Sequence, residues 1–176
     1  MLYDYLLVFF RTIVGLVFAF SFVSKARNIS LFVGTIRSFQ LFPRSVVALA
    51  AKLFLAGELA TAILMGAGGV FLGFGFVLAA ALLSIFSVAL GVSLRRKMNI
   101  TCNCFGATEK RISYADIWRN SVLILCTLAG WVINSLGAGE HEQLSFALSS
   151  FVSLGAIVFV VGLLNLRYIA ELFRLD

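Results

Sequence analysis

The sequence predicts an all-α, polytopic helical bundle in a membrane, and three observations carry that prediction. Hydrophobic residues make up 61% of the chain and charged residues only 12%, against roughly 45–50% and about 25% in a soluble domain. The apolar residues fall into long runs, with a single proline in the whole chain to break them. Most of the lysines and arginines collect at the ends of those runs. A soluble core of this size has too little interior to hide so much apolar surface, so the solvent is lipid.

About twenty residues at about 1.5 Å each cross a hydrocarbon layer of about 30 Å. On that measure five spans are expected, over 5–24, 45–66, 69–94, 116–136 and 144–166, in a single membrane domain covering 1–176. The first run contains Arg11 and ends at Lys25; with Asp4 and no basic residue before it, it reads as a retained helix and not a cleaved signal. Over 28–40 the pattern changes. Ile29, Phe32, Val33, Ile36 and Phe39 recur at helical spacing, flanked by Lys25, Arg27, Arg37 and Arg44. That is the pattern of an amphipathic helix lying in the interface, ended near Pro43.

The second span carries Lys52 and Glu58 and closes on the uncharged turn Gly66-Ala67-Gly68-Gly69. The third closes on Arg95-Arg96-Lys97 and opens a polar loop over 95–115. The fourth has Arg119 at its start and Cys126 within it, and a short turn with Glu140, His141 and Glu142 leads to the fifth. Lysines and arginines fall in the segments after the first and third spans and in the tail, and are missing from the turns after the second and fourth. By the positive-inside rule the N-terminus is outside, while the 95–115 loop and the C-terminus face the cytoplasm. The expected location is the bacterial cytoplasmic (inner) membrane. The formal charge of +6 lies beside apolar segments and forms no separate basic face. Topology and anionic headgroups account for it, and the expected partner is the lipid bilayer, not nucleic acid.

Chemistry concentrates in the loop Thr101-Cys102-Asn103-Cys104-Phe105-Gly106. A disulfide between residues i and i+2 closes a small, strained ring, which is easily reduced and suits exchange better than stapling. Exchange needs a thiolate, and nearby positive charge favours one. Arg95, Arg96, Lys97, Lys110 and Arg111 flank the cysteines on both sides, against a lone Glu109. Gly106 permits a tight turn, and Phe105 can anchor the loop among headgroups. The same thiols also suit a two-coordinate soft metal, Hg(II) or Cu(I). The bland alternative is two small loop residues beside charges that serve topology alone. A structural zinc site is disfavoured, because it takes about four ligands and only two thiols are local. Cys126 in an apolar helix reads first as a packing residue, with a relay thiol as the other reading.

Arg11 and Glu58 lie inside apolar spans, where a charge costs at least about 2.5–3.5 kcal/mol and seeks a partner. At about 1.5 Å per residue they sit about 8 Å and 12 Å from the outer ends of their helices. An Arg11–Glu58 pair is therefore expected, either locking two helices or forming a polar pocket for a quinone headgroup or a proton path. Lys52 is expected to snorkel toward the cytoplasmic side.

With these residues in view the chain resembles the family of methylamine utilisation protein MauE, within the wider DoxX-like membrane proteins. The resemblance runs through Arg11-x-x-x-Gly15, Ser24-Lys25, Leu41-Phe42-Pro43 and Glu58-Leu59. It continues through Cys102-x-Cys104-Phe105-Gly106, Ile112-Ser113 and Arg119-Asn120. It implies a helical-bundle protein associated with thiol redox that supports maturation of a disulfide-rich exported client. Cys102 and Cys104 match the family's cysteine pair, so the redox role is carried onto them. The expected electron partner is a thioredoxin-like protein or a quinone, and the sequence does not choose between them. A helper for exported disulfides works outside, whereas the charge pattern puts the loop inside. Either the loop folds back into the bundle, or electrons enter from cytoplasmic thiols and pass outward, or the charge rule fails here. A non-catalytic scaffold subunit, using the helices alone, is the remaining alternative.

Overall fold

The computed structural model describes residues 2–39, 43–96, 114–137 and 146–165. Six helices follow one another: α1 (Leu2–Arg27), α2 (Ile29–Ser38), α3 (Val47–Ala67), α4 (Phe71–Arg95), α5 (Tyr114–Ser135) and α6 (Phe146–Leu164). The fold is a polytopic helical membrane protein. By length and composition α1, α3, α4 and α5 can cross a membrane. The apolar helix α6 falls within the stretch expected as a fifth span, 144–166, and its described apolar part, Leu148–Leu163, is shorter than the other four.

Helices α1, α3, α4 and α5 pack in a ring, each against the next, with α6 on the outer side of α1 and α2 against α3 and α1. The helix ends follow from the sequence. Gly68 and Gly69, at φ 76° and 58°, turn the chain sharply between α3 and α4, and Gly68 N–H donates to Leu64 O at 3.2 Å as the helix closes. Residues with a Cβ avoid that conformation, which is why glycine ends helices so often. At the other end of the bundle Asn28 makes only a brief break between α1 and α2.

Ile13, Val14, Met65, Phe76, Ala79 and Leu123 form the centre of the core. Phe9 on α1 packs against Phe159 on α6, with ring centroids 6.0 Å apart. The outward faces of the spanning helices stay apolar, with Leu53, Ile63, Phe74, Val77, Ile85 and Leu125 all exposed. In water such a surface would be untenable, and in lipid it is the expected boundary. Arg27, Arg37, Arg44, Lys52, Arg95 and Arg96 are exposed at the end of the bundle where α1 and α4 finish and α3 begins.

The stripe expected on α2 is only partly the buried face. Phe32 and Phe39 are buried, but Ile29 is exposed, and Thr35 takes an inward place with its hydroxyl on Leu31 O. The reason is that α2 packs against α3 and α1 over one part of its surface.

Candidate functional site

One group of polar residues meets in the bundle interior between α1, α3, α4 and α5. Ser21 and Lys25 are four residues apart and share a face of α1. Ser21 Oγ donates to Glu58 Oε1 at 2.8 Å, and Lys25 Nζ donates to Ser21 Oγ at 3.0 Å and also to Glu58 Oε1. Lys25 and Glu58 form an ion pair with side chains only 4% and 3% exposed. On α5, Asn120 is buried and donates to Ser87 Oγ on α4 at 3.3 Å.

Three phenyl rings enclose the ammonium. Lys25 Nζ lies 5.1 Å from the ring centroid of Phe32, 4.8 Å from Phe54 and 5.5 Å from Phe86. Phe32 comes from α2, Phe54 from α3 and Phe86 from α4. A cation over an aromatic face within about 6 Å gains about 0.5–2 kcal/mol, more where water is excluded. The cage and the carboxylate together replace the hydration that Lys25 loses on burial.

Beside this group lies a cavity lined by Ser21, Lys25, Phe54, Glu58, Phe86 and Asn120, among apolar neighbours. It has about 20 Å³ of room for the centre of a water molecule. Glu58 Oε2 is buried and has no hydrogen-bond partner among the described residues.

The expected Arg11–Glu58 pair does not form. Arg11 donates instead to Met65 O and, at 2.7 Å, to Gly66 O. Those are among the last carbonyls of α3, which have no partner within the helix and carry its negative dipole end. Depth alone is a poor guide here, because side chains lean toward the N-terminus of their own helix. In antiparallel α1 and α3, Arg11 and Glu58 therefore lean in opposite directions. Lys25 leans back into the bundle and meets Glu58 leaning toward the start of α3. Gly15, one turn after Arg11, lets α1 close on the same stretch of α3, since a Cβ there would stand 3.2 Å from Met65 Cβ.

Arg95 and Arg96 end α4 and are exposed. Cys102, Cys104, Phe105, Gly106 and Lys97 lie outside the described residues. Cys126 is a half-buried thiol in α5. The cavity surface beside Glu58 is mainly apolar, set by Val17, Phe18, Phe54, Leu82, Leu83 and Phe86.

Comparison with known proteins bears on the same residues. The sequence profile of the family described as methylamine utilisation protein MauE matches residues 3–133. The chain belongs to the MauE family. Its MauE match takes in Arg11, Lys25, Glu58 and Asn120, together with Cys102 and Cys104. Methylamine utilization protein MauE of Paracoccus denitrificans is 32% identical over 128 residues, covering 68% of this chain. The matched stretch is 64% of that MauE protein, so the chain spans less than two thirds of the relative's length. No solved structure matches.

The interior site goes largely unread in the sequence. Lys25 reads there as a flanking charge and Phe32, Phe54 and Phe86 as ordinary apolar residues. The usable signal is the Ser21–Lys25 spacing, with Lys25, Glu58 and Asn120 each standing in a motif of the resemblance.

Proposed function

We propose that this MauE-family protein is a membrane thiol–disulfide redox protein. In this reading Cys102 and Cys104 exchange between dithiol and disulfide while an exported client matures. The single observation that carries the reading is Cys102-x-Cys104-Phe105-Gly106 standing between Arg95-Arg96-Lys97 and Lys110-Arg111, inside the stretch that matches the family. Positive charge on both flanks favours the thiolate that exchange requires. In the oxidising direction the two thiols lose two electrons and two protons to an acceptor. A thioredoxin-like protein or a quinone docking elsewhere in the membrane fills that role in this proposal.

The helices hold the loop's two anchors, the end of α4 and the start of α5, at the basic end of the bundle. By the positive-inside rule this end faces the cytoplasm of a bacterial inner membrane. The relative's name ties it to methylamine utilisation, and we propose the same pathway here. The test is Cys102→Ser and Cys104→Ser, each alone, with client oxidation and membrane insertion measured together. Lost oxidation with normal insertion supports the reading, and unchanged oxidation contradicts it. Stoichiometric loss of thiol titre on adding Hg(II) or Cu(I), with no effect of redox state on the client, would favour the soft-metal carrier instead.

A further inference from the structure

We propose that the basic end of the bundle is a binding surface for anionic phospholipid, with the headgroup phosphate held by Arg27, Arg37, Arg44 and Lys52. The inference is independent of the thiol chemistry and starts from an imbalance of charge. Six basic side chains are exposed at this end, those four together with Arg95 and Arg96. The acids described there are buried or half-buried and already matched, Glu58 by Lys25 and Asp116 by Arg119 at 3.7 Å. Among the described residues no exposed acid answers the six cations. At the other end the described basic residue is Arg11, engaged by the carbonyls of Met65 and Gly66. Like charges gathered on one face repel each other, and an anionic partner relieves that repulsion.

The surroundings of these charges select the anion. Helix α2 buries Phe32, Thr35 and Phe39 and turns Ser30, Gly34 and Arg37 outward, each set at helical spacing. Exposed Ile29 and Leu31 border that outward face. On α3, Lys52 stands beside exposed Leu49 and Leu53, and the apolar side continues through Leu59 and Ile63. A soluble acidic protein would have to displace lipid from these apolar residues. A phospholipid meets both parts of the surface. Its phosphate reaches the cations at the ends of the spanning helices, and its acyl chains run along the apolar side of α3. The arginines offer a planar fork of donors to phosphate, and Lys52 a point charge. A zwitterionic lipid has the same chains but brings its own cation beside the phosphate, so the charge balance favours the anionic one.

The test reconstitutes the full chain in vesicles of phosphatidylglycerol and phosphatidylcholine in equal amounts. The protein is extracted in a mild neutral detergent, and the lipids that stay bound are counted by native mass spectrometry. Enrichment of phosphatidylglycerol is the expected result. Equal retention of the two lipids overturns the inference and leaves these cations to a soluble acidic partner. An Arg27→Gln, Arg37→Gln double variant is expected to bind phosphatidylglycerol about 25-fold more weakly, at about fivefold per basic residue, with phosphatidylcholine unaffected. Unchanged enrichment in that variant overturns the role given to the two arginines. Should the variant fail to fold, the native chain at about 1 M salt serves, where charges are screened beyond about 3 Å. Lost enrichment is expected there, and enrichment that salt never changes overturns the role given to charge.

Discussion

Lys25 on α1 reaches back into the bundle to Glu58 on α3, although it stands two residues from the end of its helix. A lysine near a membrane surface would ordinarily snorkel outward to the headgroups. Here the helical lean of the side chain points inward, and the carboxylate with three phenyl rings takes the place of water. The pair ties the first spanning helix to the second at the end of the bundle that leads into the cysteine loop.

Removing one partner leaves the other charge buried. Lys25→Met or Glu58→Met alone is expected to destabilise the protein by about 3–5 kcal/mol. The double replacement is expected to recover most of that loss, because desolvation of the two charges disappears with them. Unfolding of the purified variants in detergent checks both values. Additive losses in the double variant would show that the two side chains do not act as a pair.

The aromatic cage makes a separate prediction. Phe54 has its ring closest to the ammonium, at 4.8 Å. Phe54→Leu removes that ring's face and is expected to cost about 0.5–2 kcal/mol of cation–π energy beyond the loss of packing. Repeating the change in a Lys25→Met background isolates this component. An equal cost in both backgrounds would assign Phe54 to packing alone.

At the opposite end of α3, Gly68 has φ 76° and a Cβ there would meet Arg11 Nη1 at 2.8 Å. Gly68→Ala is therefore expected to cost about 1–3 kcal/mol for the backbone alone, since φ 76° with ψ −161° is a conformation nearly confined to glycine. Displacement of Arg11 from Met65 and Gly66 adds to this. Arg11→Met is expected to weaken the same helix end through uncapped carbonyls, with Lys25–Glu58 undisturbed. Thermal unfolding of the two variants and their combination gives the coupling. A fully additive combination would separate the turn from the guanidinium.

The apolar runs made the helices legible, because lipid demands continuous hydrophobic segments and the chain has little else. The Gly66-to-Gly69 turn and the basic end were legible for similar local reasons. The interior pairing was not. Residue depth puts Arg11 and Glu58 at similar levels, yet side-chain lean and helix direction send them apart. Those quantities depend on which helices are antiparallel neighbours, and no local pattern states that. The cage around Lys25 was hidden for another reason. Phe32, Phe54 and Phe86 come from three different helices, so their meeting is a tertiary event with no spacing of its own. Ser21 and Lys25, on one face of one helix, left the only periodic trace.

Labelling with a membrane-impermeant maleimide decides whether Cys102 and Cys104 form a redox-active pair. Cells carrying Cys126→Ser are labelled intact and after opening, each before and after reductant. Protection is expected in intact cells, with labelling of opened cells that rises on reduction as a fraction of the pair passes from disulfide to dithiol. Labelling of opened cells that reductant never changes would mean that the pair does not cycle, and would contradict the claim.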